Sequence, residues 1–147
     1  MTDGVRVLIV TSRYYARIAE ELEAGVTDAL DAVGIGYDFL EVPGAFEIPA
    51  AIALATSSGE YDGYAALGCV LRGETSHYDL ICAEVARAMM DLSLSGIAVG
   101  FGVLTCETEE QAWERASRSG KNKGREVVDA VVRMIELSQH FSGVDEE

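Results

Sequence analysis

Apolar positions in this chain alternate between two rhythms, short continuous runs and stripes that recur every third or fourth residue. Runs bounded by turn residues read as strands covered on both faces, and the stripes read as amphipathic helices. Val5 to Val10 is the first run. A stripe follows at Ile18, Leu22, Val26, Leu30 and Val33, and Gly34 and Gly36 end it. Tyr37 to Val42 reads as a second strand, Pro43-Gly44 as a turn, and Ile48 to Thr56 as a short helix with Pro49 in its first turn, closed by Ser57-Ser58-Gly59. Tyr64 to Leu71 is the most continuous run and predicts a third strand. It breaks into a polar loop, and a helix begins at His77 with Ser76 and Asp79 spaced as a capping box. That helix carries Ile81, Val85, Met89 and Leu92 on one face and is interrupted at Ser95-Gly96. Ile97 to Leu104 predicts a fourth strand, and Thr108 with Gln111 a second capping box opening a helix through Ser117. Gly120 to Gly124 reads as a break before a final helix bearing Val127, Val131, Met134 and Ile135, and the acidic tail over 142–147 is expected to fray.

Four strands joined by helical segments predict a parallel sheet with helices on both faces. The expected fold is thus α/β, a flavodoxin-like three-layer α/β/α sandwich in one domain spanning 1–147. The pattern alone leaves the strand order open. The order 2-1-3-4 is expected, with a switch point between the first and third strands, where chemistry collects in open α/β sheets. Ser12 to Tyr15, Val42 to Glu47, Arg72 to His77 and Thr105 to Glu107 each follow a strand, so all four loops are expected to meet in one crevice.

Composition narrows the partners. With 25 acidic and 11 basic residues the net charge is −14, which excludes a phosphate-backbone binder and means that any anionic substrate is held by local cations. No apolar run is long enough to cross a bilayer, and the first run lacks a cleavage pattern, so a cytoplasmic protein with neither nucleic-acid nor membrane partner is expected. Cys69, Cys82 and Cys106 lack metal-ligand spacing and read as small core residues, although Cys106 stands at a strand end where a reactive thiol is conceivable. His77 is one of only two histidines, and taken alone it is equally a solvated residue in a polar turn.

Several segments carry more than periodicity does. Val42-Pro43-Gly44-Ala45-Phe46-Glu47-Ile48-Pro49, Gly68 to Asp79, Phe101-Gly102-Val103-Leu104-Thr105, Glu110-Gln111-Ala112 with Glu114-Arg115-Ala116, and Asn122-Lys123-Gly124 closely resemble, in order and spacing, the motifs of the 6,7-dimethyl-8-ribityllumazine synthase family. The resemblance runs from the first strand to the final helix. It implies condensation of 5-amino-6-(D-ribitylamino)uracil with 3,4-dihydroxy-2-butanone 4-phosphate, the penultimate step of riboflavin biosynthesis, without a metal or organic cofactor.

By the same resemblance His77 is the proton-transfer residue and Arg115 the phosphate ligand, although on its helix alone Arg115 reads as a solvated charge. Tyr14 matches the aromatic that stacks on the pyrimidine, with Tyr15 the alternative register. Ala45, Phe46 and Glu47 match the segment touching the ribityl chain and ring, and Cys69, Val70 and Leu71 a strand end whose backbone reads the pyrimidine edge. Glu74 and Thr75 match the loop near the phosphate, where Glu74 is expected to offer its backbone amide; Phe101 matches a residue whose backbone lines the ring pocket, and Lys123 a nearby cation. Asn122-Lys123-Gly124 alone would be an ordinary polar turn.

Relatives often have proline where Ile97-Ala98-Val99 stands, and those that build sixty-subunit shells often carry a longer arm than the residues before Val5. The expected assembly is therefore a homopentamer rather than a shell, with sites between subunits to which Arg115 and Lys123 come from across the interface. Two other readings stand beside this one. The first is a non-catalytic lumazine- or riboflavin-binding relative, and the second a cysteine hydrolase using Cys106 and His77.

Overall fold

Unbroken buried apolar runs at Val7 to Val10 and Tyr64 to Leu67 leave neither face of the central strands fit for water, and helices cover both. The computed structural model describes residues 4–73 and 76–143. Its elements are β1 (Arg6–Ser12), α1 (Ala16–Val33), β2 (Gly36–Val42), a short 3-10 turn (Ala45–Glu47), α2 (Ile48–Thr56), β3 (Gly63–Leu71), α3 (His77–Leu94), β4 (Val99–Cys106), α4 (Glu109–Ala116) and α5 (Lys123–Ser142). The strands form one four-stranded sheet in the order β2-β1-β3-β4, and every pairing is parallel. The expected sandwich and strand order are both found, with the switch point between β1 and β3.

Alternate residues of each strand feed two cores. Val7, Ile9, Ala65 and Leu67 pack with Leu22, Val26, Ala112, Val127 and Val131 beneath α1, α4 and α5. Leu8, Val10, Ala66 and Val103 pack with Ile48, Ile52, Val85 and Met89 beneath α2 and α3. Two residues expected in helix stripes lie outside: Val33 is 42% exposed and Met134 38%, each on the rim of its helix.

Most expected boundaries hold within two residues. The fourth strand starts later than expected because the Ile97 amide donates to the Leu92 carbonyl, closing the end of α3 beyond left-handed Gly96. Gly36 begins β2 instead of ending α1, a role Gly34 fills alone in the left-handed region. The expected Gly120 to Gly124 break is shorter, because Asn122 takes a left-handed conformation and α5 starts at Lys123. Gly124 lies inside that helix against the backbone of α1, where an added Cβ would come within 2.6 Å of the Leu22 carbonyl oxygen. Residues 144–147, most of the expected frayed tail, lie outside the described residues.

The two capping boxes part company. Thr108 is extended and its hydroxyl accepts from the Gln111 amide at 3.2 Å, while Gln111 Oε1 reaches past it to the Glu107 amide at 2.8 Å. Ser76 is helical in conformation and makes no side-chain cap, so the expected box with Asp79 is absent; Asp79 Oδ1 instead lies 3.4 Å from Arg72 Nη2.

Candidate active site

The loops after β1, β2 and β3 converge at the switch point around a crevice of about 650 Å³. Its walls include Tyr14 and Tyr15 ahead of α1, Pro43 to Glu47 after β2, Cys69, Val70 and Leu71 at the end of β3, and His77 with Leu80 and Ile81 on α3. Position i+3 and i+4 place Leu80 and Ile81 on the face of α3 that carries His77.

The tyrosines differ in environment. Tyr14 is 76% exposed, whereas Tyr15 packs against the core and burial pushes its phenol upward. Their rings meet edge to face at 5.1 Å. The strand end before them is pinned by Arg13, whose Nε and Nη2 donate to Glu23 at 2.9 and 3.0 Å and whose Nη1 donates to Glu41 at 3.3 Å. Thr11 Oγ1 donates to the same Glu23 carboxylate at 2.8 Å. Arg13 is thereby committed within the chain and its guanidinium held above its usual range, chiefly by the Glu23 hydrogen bond. Across the crevice, buried Ala45 anchors the 3-10 turn on the sheet and leaves Phe46 and Glu47 exposed. Cys69 is half-buried, and burial pushes its thiol up to about 12. Glu74 and Thr75 lie outside the described residues.

The fourth loop does not join this crevice. Beyond β3, the edge strand β4 belongs to a second, smaller surface of about 320 Å³ lined by Phe101, Thr105, Arg115, Lys121, Lys123 and Glu126, among others. Three cations face one carboxylate here, against the acidic balance of the whole chain. Arg115 Nη1 donates to the Gln111 carbonyl at 3.1 Å and has no carboxylate partner among the described residues; Lys123 Nζ stands 3.6 Å from Glu126. The two surfaces share no lining residue, and the Thr105 to Glu107 loop, expected in the crevice with the other three, lies outside it.

Cys106 is 3% exposed at the end of β4, and burial raises its thiol despite the opposing pull of Arg115. A nucleophilic thiol needs the opposite shift and access, so the cysteine-hydrolase reading finds no support. Leu80 and Lys121 were not singled out in the sequence. The i+3 spacing from His77 signals the first; only the fold signals the second, whose turn packs through the Lys121 amide on the Glu114 carbonyl at 3.0 Å. No group of three or more His, Cys, Asp or Glu residues able to hold a metal ion occurs among the described residues.

The sequence model of 6,7-dimethyl-8-ribityllumazine synthase matches residues 4–139 of this chain. The chain belongs to this family. A lumazine synthase of Sphingopyxis alaskensis is 49% identical over 135 residues, covering 92% of this chain and 96% of that protein. Another, 6,7-dimethyl-8-ribityllumazine synthase 1 of Rhizobium meliloti, is 50% identical over 143 residues, covering 93% and 94%. The lumazine synthase of Agrobacterium fabrum is 47% identical over 143 residues, covering 93% and 97%. The match to the lumazine synthase family thus includes both the switch-point crevice and the cationic surface on β4.

Proposed function

We propose that this chain is a 6,7-dimethyl-8-ribityllumazine synthase that condenses 5-amino-6-(D-ribitylamino)uracil with 3,4-dihydroxy-2-butanone 4-phosphate. The observation that carries the reading is the gathering of Tyr14, Phe46, Glu47 and His77 in one crevice of a lumazine synthase family member. The pyrimidine amine attacks the ketone and water leaves as the imine forms, phosphate is eliminated, and the ribitylamino nitrogen closes on the remaining carbonyl with loss of a second water. Such a sequence asks for orientation, proton movement and an anion site.

Tyr14 stacks on the pyrimidine, Phe46 and Glu47 meet the ribityl chain and ring with Ala45 beneath them, and the backbone of Cys69, Val70 and Leu71 reads the pyrimidine edge. His77 moves protons, since an imidazole both donates and accepts near neutrality, an effect typically worth about 10²- to 10⁴-fold. Glu74 and Thr75, which lie outside the described residues, are assigned to the phosphate by the family's loop motif alone. Arg115 binds that phosphate with a forked guanidinium, Lys123 adds charge and Phe101 closes the ring pocket.

The crevice and the cationic surface share no lining residue, and in this reading the complete site forms between chains: one supplies the crevice and the next supplies Arg115, Lys123 and Phe101. The assembly is a homopentamer. Support comes from exposed Phe46 at 56% and Phe101 at 39%, apolar residues that a neighbour would cover. The chain works in the cytoplasm, in keeping with its three free thiols.

The test is direct. Purified protein mixed with both substrates is followed by absorbance of the lumazine product, and turnover is expected. Binding of lumazine or riboflavin without turnover would instead identify a carrier, and turnover that iodoacetamide abolishes would return attention to a thiol.

A further inference from the structure

Arg72 lines neither the crevice nor the cationic surface, yet it touches elements of both. Its backbone amide donates to the Cys106 carbonyl at 3.0 Å, extending the β3–β4 ladder one residue beyond Leu71. From that fixed origin the guanidinium divides between two elements. Nε donates to Glu107 Oε2 at 2.7 Å, at the exit of β4. Nη2 reaches Asp79 Oδ1 at 3.4 Å, and the group lies 4.4 Å from the centre of the Tyr78 ring, both in the first turn of α3. Glu107 is itself held, because its amide donates to Gln111 Oε1 at 2.8 Å in the cap of α4.

His77 opens that same first turn. Free amides at a helix start normally find a side-chain cap, and Ser76 supplies none. Two of the contacts that tie this turn to the sheet edge run through Tyr78 and Asp79 to Arg72, beside a direct pairing of the Tyr78 side chain with Thr105 on β4. An exposed ion pair adds little stability as a rule. One planar group with two carboxylates and an aromatic face nevertheless defines a position, and position is what a proton-transfer residue needs.

We propose that Arg72 is a positioning residue for His77, latching the start of α3 to the end of β4 so that the imidazole is held in the crevice. The inference rests on the role given to His77 above. Arg72 acts through His77 and not on substrate, so its loss should fall on kcat and vanish when His77 is absent.

Four proteins test this by steady-state kinetics: wild type, Arg72→Ala, His77→Ala and the double variant. Arg72→Ala is expected to lower kcat about five- to tenfold with KM changed less than about twofold. In the His77→Ala background the same change should alter kcat by less than about twofold. Arg72→Lys should recover part of the loss, since it keeps the charge without the fork or the ring contact, and Glu107→Gln should lower kcat in the same direction. Arg87→Ala, which breaks pairs with Glu84 and Asp91 further along α3, should leave kcat unchanged. If Arg72→Ala misfolds, the Arg72→Lys and Glu107→Gln variants carry the same cycle. An unchanged kcat, an equal loss with and without His77, or an effect on KM alone overturns the positioning role. Should His77→Ala itself keep full kcat, the role given to His77 falls first and this inference with it; a slow His77→Ala beside a normal Arg72→Ala removes only the latch.

Discussion

Tyr14 and Tyr15 are sequence neighbours with opposite surroundings, and the difference decides which can serve a flat ligand. Tyr15 spends its ring on the core, while Tyr14 stands exposed at the crevice mouth. Tyr14→Ala should weaken pyrimidine binding by about 1 kcal/mol or more and Tyr14→Phe should change little, because the stacking face and not the hydroxyl is used. Riboflavin titration followed by quenching checks the ranking; a larger loss for Tyr15→Ala than for Tyr14→Ala, in protein with unchanged circular dichroism, would reverse the assignment. Cys69 invites a second measurement at this scale. Its folded thiol is pushed from 9.0 to about 12 by burial, so it stays protonated where the unfolded chain has already ionised. Its contribution to stability is complete below pH 9.0 and is lost as pH rises toward about 12. Cys69→Ala should therefore flatten the alkaline fall in stability by up to about 1.4 kcal/mol per pH unit, read from denaturant midpoints across that window. An identical slope in wild type and variant would mean the thiol titrates normally.

Among the elements, the contact of α1 with the start of α5 is the most exacting. An added Cβ at Gly124 meets the Leu22 carbonyl oxygen at 2.6 Å and the Val26 amide nitrogen at 2.8 Å, both backbone atoms that cannot swing aside. Gly→Ala in a helix gains up to about 1 kcal/mol from propensity, and overpacking costs about 1–3 kcal/mol, so Gly124→Ala should destabilise on balance. Urea unfolding reads the sign directly, and a rise in midpoint would show that the helices part easily. Lys123 stands next to this contact, so the variant should also raise KM for the butanone phosphate.

Element identity was legible in the sequence because each apolar run and stripe matched its geometry, down to the bounds of α2. Side-chain partnerships were less so. Ser76–Asp79 and Thr108–Gln111 have the same spacing, yet only the second caps its helix, because Arg72 competes for Asp79 from a strand end that sequence spacing does not reveal. The site was legible through its motifs on the crevice side. The absence of the Thr105 to Glu107 loop from the crevice was not, since loops that each follow a strand look equivalent until β4 is known to lie at the sheet edge beyond the switch point.

At the scale of the whole molecule, the −14 charge opposes an anionic substrate, and the cations that offset it are collected on one surface away from His77. If complete sites form between neighbours, His77→Ala and Arg115→Ala chains should repair one another. In randomly mixed rings about a quarter of the sites draw both intact residues, since each heterologous interface samples two chains. Differently tagged variants, co-expressed and purified through both tags, should exceed the mean activity of the two single-variant assemblies. Mixed particles that do not exceed it would leave Arg115 acting within its own chain. Among the described residues no helix is long and apolar enough to cross a membrane.

The packing of Arg17 on the only tryptophan gives the molecule a property of a different kind. The guanidinium carbon lies 3.7 Å from the centre of the Trp113 ring, joining α1 to the helix that carries Arg115. An indole covered by a cation on one face changes its emission when that cover lifts. Fluorescence from unlabelled protein therefore reports the seating of α4 on α1 by itself, in real time, while circular dichroism follows the secondary structure of the whole.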